Sequence, residues 1–301
     1  MSDTAASLRR QLTSAGDLQS VVRTMKALAA ASIGQYEKAV LSLGDYDRVV
    51  RLGLGACIRE GQRTQLPERR DRTEGGAIGA IVFGSDQGLV GQFNDVVADH
   101  AIRVLAGLPG SSEVWAVGER VHGRLADAGL KLMGLLPVPS SIDAIVPLVG
   151  QIQIESEKRR AKGEYRSVYV FHNRPQPGGL YAPVSQRLLP LDAQWQSNLA
   201  SVSWPTKRVP EVLGGGVAIL GPLIREYLFI SLFRACAESL ASENASRLGA
   251  MERADRNIDD LLKTLRKKSH RLRQSNIDEE LFDVVAGFEA LAQPRHGGDP
   301  T

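Results

Sequence analysis

Apolar residues recur in alternating four- and three-residue steps through the first fifty positions. The series is Leu8, Leu12, Ala15, Gln19, Val22, Lys26, Ala29, Ile33, Tyr36, Val40, Leu43, Asp47 and Val50, apolar at most steps. That period is the seam of a coiled coil and predicts one helix over residues 1–52. Gly16, Gly34 and Gly44 each weaken such a helix by up to about 1 kcal/mol relative to alanine. A partner helix must supply the difference, and the small residues Ala27 to Ser32 permit its close approach. A second series runs Ala237, Ala241, Asn244, Leu248, Met251, Asp255, Ile258, Leu262, Leu265, Ser269, Leu272. It resumes one residue out of phase at Ile277, Leu281, Val284, Phe288 and Leu291, a slip that changes the winding or the face presented. The second helix, within residues 206–292, has a length on the order of 110 Å. Antiparallel pairing of the two termini then leaves part of it projecting alone. The polar, Gly/Pro-rich residues 293–301 are expected to be a disordered tail.

The pattern changes between the two helices. Residues 53–76 are charged, contain a proline and end in Gly-Gly, which predicts an exposed linker. Over residues 77–205, apolar runs alternate with amphipathic stretches. AIGAIVF, EVWAVG, KLMGLL and YRSVYVFHN read as strands. NDVVADHAIRVLAGL, ERVHGRLADAGL and IVPLVGQIQIESEKRRAKG read as helices, the last with Pro147 in its first turn. SQRLLPL is expected to add an edge strand limited by Pro183 and Pro190. Such alternation predicts an α/β domain with a mostly parallel sheet and helices on its faces. The expected fold class is therefore α/β: a long antiparallel coiled coil of the N- and C-terminal helices plus this domain.

Composition narrows the reading. A hydrophobic fraction of 43% and a charged fraction of 24% are those of a water-soluble protein, and the net charge of +3 does not by itself call for nucleic acid. Cys57 and Cys236 lie far apart without metal-ligand spacing, so neither a disulfide framework nor a zinc site is expected. No apolar signal-peptide core opens the sequence, and no run reaches the ~18–20 residues of a membrane span.

Candidate chemistry concentrates in two stretches. FGSDQGLVGQFN, Phe83 to Asn94, follows the first strand with glycines at Gly84, Gly88 and Gly91. A phosphate loop needs a Gly-Lys-Ser/Thr step, and a dinucleotide fingerprint needs G-x-G-x-x-G. Neither spacing is present. The alternative is a tight turn whose glycines take positive φ or let backbone pass closely, with Asp86 and Asn94 as caps. The second stretch, Lys263 to Asn276, holds six Lys/Arg and no acid. It reads as a solvated helix face, a nucleic-acid patch, or a surface meeting acidic protein loops; the absence of interleaved aromatics counts against single-strand binding. His100, His122, His172, His270 and His296 are scattered, with no ligand spacing or nucleophile partner.

Together these features resemble the gamma subunit of F-type ATP synthases. LRRQLTSAGDLQSVVRTMKALAAASI is similar to that family's N-terminal helix. FGSDQGLVGQFN is similar to its Ser-Asp-x-Gly-Leu-x-Gly turn. The stretch from Glu238 to Leu291 is similar to its C-terminal helix, including the Arg273–Gln274 pair. Gln87 stands where the family has a basic residue, Val90 where cysteine is common, and SIGQYEKA replaces a basic step. These departures imply a divergent bacterial branch, with the alternate sodium-linked type as one option. The resemblance implies a Rossmann-like α/β domain without a nucleotide site, no cofactor and no catalysis, Gly84, Gly88 and Gly91 being structural. It implies a rotor shaft with alpha and beta subunits, the epsilon subunit and the membrane c-ring as partners, no nucleic acid, and a peripheral place on the cytoplasmic face of the inner membrane. Arg273 and Gln274, with Lys26 as a weaker candidate, are implied contacts to a catch loop of a beta subunit. Arg266, Lys267, Lys268 and Arg271 would face beta-subunit loops, and Leu281, Val284, Phe288 and Leu291 would form an apolar shaft tip. The rival readings are a free nucleotide-binding α/β enzyme with helical arms and a coiled-coil nucleic-acid scaffold.

Overall fold

The computed structural model describes residues 4–63, 76–177, 179–208, 210, 212 and 216–292. Its elements are α1 (Ala5–Arg63), β1 (Ala77–Phe83), α2 (Phe93–Ala106), β2 (Ser112–Val117), α3 (Glu119–Asp127) and β3 (Lys131–Leu136). α4 (Ile142–Ala161), β4 (Tyr165–Gln176), β5 (Gly179–Leu189), α5 (Ala193–Ala200) and α6 (Gly216–Ala292) follow. The chain divides into two compact units: Leu28–Ala250, and Met1–Ala27 together with Met251–Thr301.

The larger unit is built on one sheet in the order β3-β2-β1-β4-β5, parallel except for the antiparallel edge pair β4–β5. The two-residue alternation of β1 sorts its side chains to opposite faces. Ile78, Ala80 and Val82 pack with Val97, Ala98 and Ala101 of α2 and with Val121 and Leu125 of α3. Ile81 and Phe83 pack with Ile145, Val149 and Ile152 of α4, and with the stretches of α1 and α6 that belong to this unit. Asp47, a polar step of the α1 series, is buried there between Arg51 (2.9 Å) and Arg234 (3.2 Å).

Several boundaries differ from the sequence expectation. α1 does not stop at residue 52 but runs to Arg63, and Leu54, Ala56, Cys57 and Ile58 are buried. Gly55 is no breaker. A Cβ there would lie 2.6 Å from the carbonyl oxygen of Leu199, so the glycine admits α5 against α1. Arg59 then donates to the carbonyls of Ala200 and Val202. The rest of the expected linker, residues 64–75, lies outside the described residues, as does the expected tail. Pro147 falls in the second turn of α4, because the Ser141 hydroxyl accepts from Ala144 N and starts the helix earlier. β5 passes through Pro183 instead of starting after it, which an edge strand tolerates. α5, capped by Asp192 through Trp195 N, carried no signal strong enough to be expected. Residues 206–208 are not helical, and α6 begins at Gly216.

In the smaller unit α1 and α6 run antiparallel. Leu8, Ala15 and Val22 are buried on α1, and Met251, Ile258, Leu262 and Leu265 on α6, as the seam period predicts. Beyond Leu272 the burial ends: every residue from Arg273 to Phe288 is exposed.

Candidate functional site

The glycine turn between β1 and α2 is closed by its own side chains. Asn94 Oδ1 accepts from Ser85 N (2.9 Å), Asn94 Nδ2 donates to Ser85 Oγ (2.8 Å), and Ser85 Oγ donates to the carbonyl of Gln87 (2.9 Å). From α6 of the same unit, Ser246 donates to the carbonyl of Val90. Asn173 on β4 donates to that of Phe93 at 2.9 Å. Asn94 thus ties the turn itself, while Asp86 caps not α2 but α3. Its Oδ1 accepts from Glu119 N at 3.0 Å and its Oδ2 from Val138 N at 2.9 Å.

The location of Asp86 decides what the turn can do. A helix N-terminus beside a glycine turn is where such folds hold a phosphate, because its first amides lack partners. Here a carboxylate of the chain occupies that position at α3. A second acid stands near: burial pushes the Glu243 carboxyl up, the Arg247 guanidinium at 2.6 Å opposes this, and the charge of Asp86 adds to the rise. A phosphate approaching the α3 end would meet a carboxylate already bonded to the Glu119 amide.

Each glycine of the turn has a different reason to be there. A Cβ on Gly84 would lie 2.3 Å from Val121 Cβ, so α3 packs directly on the strand end. Gly91 has φ +56°. Gly88 does not have positive φ, and a Cβ on it would meet Arg120 at an ordinary 3.8 Å, so the expectation of a strained Gly88 is corrected. The residue that takes the left-handed conformation beside it is Leu89, at φ 62°.

Other reactive groups are committed or inert. His172 is buried, with Nε2 2.8 Å from Glu238 Oε2, which also accepts from Arg174 Nε at 2.7 Å. Burial raises the Glu238 carboxyl, but the bonds from His172 and Arg174 outweigh it and hold the group below its ordinary range. Burial pushes the Cys57 and Cys236 thiols up, which disfavours the reactive thiolate. Among the described residues no group of three or more His, Cys, Asp or Glu could hold a metal ion.

The end of α6 is the opposite case. Ile277, Leu281, Phe282, Val284, Val285 and Phe288 are all exposed, Phe288 by 77%. At helical spacing they occupy an arc of roughly 160°, centred nearly opposite the seam that faces α1. Phe282 and Val285 were not in the expected tip; they lie outside the four-three series and are legible only once the whole circumference is drawn. The Leu291 side chain lies outside the described residues. Arg266, Lys267, Arg271 and Gln274 are exposed within that arc, whereas Lys268 falls outside it. Arg273, about five turns from the seam residue Asp255, is exposed on the seam side. Lys26 is not brought to Arg273. It pairs with Asp255 at 3.3 Å, about 27 Å along α6 from Arg273.

A family model described as ATP synthase matches residues 4–291. The chain belongs to the ATP synthase family. It is similar to the ATP synthase gamma chain of Chlorobium phaeobacteroides (strain BS1), 26% identical over 299 residues, covering 96% of this chain and 98% of the relative. It is likewise 26% identical to the ATP synthase gamma chain of Bdellovibrio bacteriovorus, over 94% of this chain and 97% of that one. Two solved structures share the fold. One is the rotor of the Euglena gracilis mitochondrial ATP synthase, with 15% identity and a TM-score of 0.57 over 91% of this chain and 98% of that one. The other is the central stalk of the Tetrahymena thermophila enzyme, with 19% identity and a TM-score of 0.54 over 78% and 99%. In this family setting the end of α6, rather than the glycine turn, is the candidate site.

Proposed function

We propose that this chain is the gamma subunit of an F-type ATP synthase. It is the central rotor shaft, coupling ion flow through a membrane ring to ATP synthesis or hydrolysis in a hexamer of alpha and beta subunits. The observation that carries this reading is the run Arg273–Phe288, a helix end wholly exposed in its own chain yet apolar over much of its circumference. A side chain such as Leu281 or Phe288 gains about 1.5–3 kcal/mol on full burial, which favours insertion into an apolar sleeve. The gamma-chain relatives, similar along nearly their whole length, support the same assignment.

The shaft carries no catalytic site, and ATP chemistry belongs to the beta subunits. An asymmetric helix turning inside a three-fold ring presents a different face to each site and so biases each between conformations. Arg273 and Gln274 contact a catch loop of a beta subunit. The planar, permanently charged guanidinium suits bidentate pairing with a carboxylate. Arg266, Lys267, Lys268 and Arg271 face acidic beta-subunit loops, and Leu281, Val284, Phe288 and Leu291 form the tip. Lys26 is given no part in the catch, since Asp255 holds it. The epsilon subunit and the membrane c-ring are the further neighbours, at the cytoplasmic face of a bacterial inner membrane. Among the described residues no helix is long and apolar enough to cross a membrane.

Reconstitution with alpha and beta subunits tests this. Exposed ion pairs contribute ~0–1 kcal/mol, a partly buried Arg contact about 1.5–3 kcal/mol. Arg273→Ala is therefore expected to lower ATPase turnover of the complex more than Lys267→Ala. Equal turnover rejects the role of Arg273. Nucleotide retained at micromolar affinity by the isolated chain overturns the rotor reading itself.

A further inference from the structure

In the smaller unit one carboxylate stands in the seam between α1 and α6. Asp255 occupies a seam step between Met251 and Ile258, both buried, and its side chain is only 15% exposed. Three donors from successive turns of α1 converge on it: Gln19 Nε2 at 3.2 Å, Arg23 Nε at 3.1 Å and Lys26 Nζ at 3.3 Å. Gln19 also donates to Asp259, one turn further along α6.

The apolar part of this seam specifies register weakly. Leu8, Leu12, Ala15 and Val22 face a series of Met251, Ile258, Leu262 and Leu265. Both series repeat every seven residues, so a one-heptad slip rebuilds most of the apolar contacts. The polar layer does not survive such a slip. In one direction Asp255 would face Leu12, Gly16 and Gln19. In the other it would face Lys26, Ala30 and Ile33, with Leu262 set against Gln19, Arg23 and Lys26. Either way the carboxylate, only 15% exposed, keeps one donor of three and is left short of partners among apolar side chains.

We infer that Asp255 with Gln19, Arg23 and Lys26 is a register lock, which holds α6 against axial slip along α1. The lock selects one alignment of the two helices and adds little to stability, because ion pairs to partners as open to solvent as Arg23 and Lys26 are screened and weak. Its role is independent of what surrounds the helices, so it does not rest on the rotor reading.

Spin labels on the full-length chain test it, at Ser14→Cys on α1 and Asn276→Cys on α6. Both positions are exposed, and the native Cys57 and Cys236 are buried. The parent should give one narrow distance. Asp255→Leu should add a second population displaced by up to about 10 Å, the rise of seven residues, while its melting temperature is not lowered. Asp255→Asn, which keeps an acceptor oxygen, should remain single. One unshifted distance in Asp255→Leu overturns the lock. Loss of helix content in that variant also overturns it, by making Asp255 an element of stability instead of alignment.

Discussion

The glycine turn at Phe83–Asn94 and the helix end at Arg273–Phe288 both stand out in the sequence, and they have opposite characters. In the turn, Ser85, Asn94 and Asp86 answer one another or nearby amides, and Val90 and Phe93 are buried. At the helix end no residue is covered, and six large apolar side chains face outward. A motif whose hydrogen-bonding groups are met from within needs nothing further, whereas a surface that its own chain leaves bare does. The motif that looked like chemistry closes on its own chain, and the plain amphipathic stretch is left bare.

Breaking the turn should have the largest effect. Gly118, which follows β2, has φ +112°, and a Cβ there would lie 2.8 Å from the backbone of Ser85. Gly118→Val combines that overlap with a strained conformation that alone costs about 1–3 kcal/mol, so urea denaturation should show severe destabilisation or no folded protein. Gly88→Ala, within the glycine turn itself, should change stability by less than about 1 kcal/mol. Equal damage from the two would remove the distinction between them.

A smaller effect belongs to the acid limb of the stability curve. The Glu238 carboxyl is depressed by His172 and Arg174 despite its burial. Its contribution is therefore full above the usual carboxylate value of about 4.3 and is lost as pH falls through the lower, folded-state value. Thermal melts of Glu238→Gln between pH 3 and 6 should show a flatter acid limb than the parent. Parallel curves would mean that the His172–Glu238–Arg174 cluster does not couple protonation to folding.

The smallest effect on the free chain should come from the helix end. Leu281→Ser with Phe288→Ser changes only exposed residues, so the melting free energy should stay within about 0.5 kcal/mol. Assembly with alpha and beta subunits should nevertheless weaken. A marked loss of stability in the free chain would mean that the end of α6 is covered intramolecularly, and the comparison with the turn would collapse.

What could be read in advance follows from how local each cause is. The α1 seam was legible because burial there depends on period alone: all thirteen steps from Leu8 to Val50 are buried or half-buried. The strands of the sheet were legible for the same reason. The charge and proline of residues 53–76 read as a linker and hide the end of α1, whereas the first of these residues pack on α5, with Gly55 admitting Leu199 only in the folded chain. Asp86 was suspected as a cap, but its partners Glu119 and Val138 are 33 and 52 residues away, and no local pattern announces them. The apolar arc at the helix end was half visible. Leu281, Val284 and Phe288 keep the seam period, while Phe282 and Val285 broaden the face beyond it.

Asp86 also has a consequence for life in a cell full of nucleotides. A side chain tethered beside α3 competes for those amides at an effective concentration of millimolar or more, and it never diffuses away. Free phosphate groups must outbid a competitor that is part of the polypeptide. The Glu119 and Val138 amides are thereby held by the chain's own carboxylate, whatever the supply of nucleotide around it.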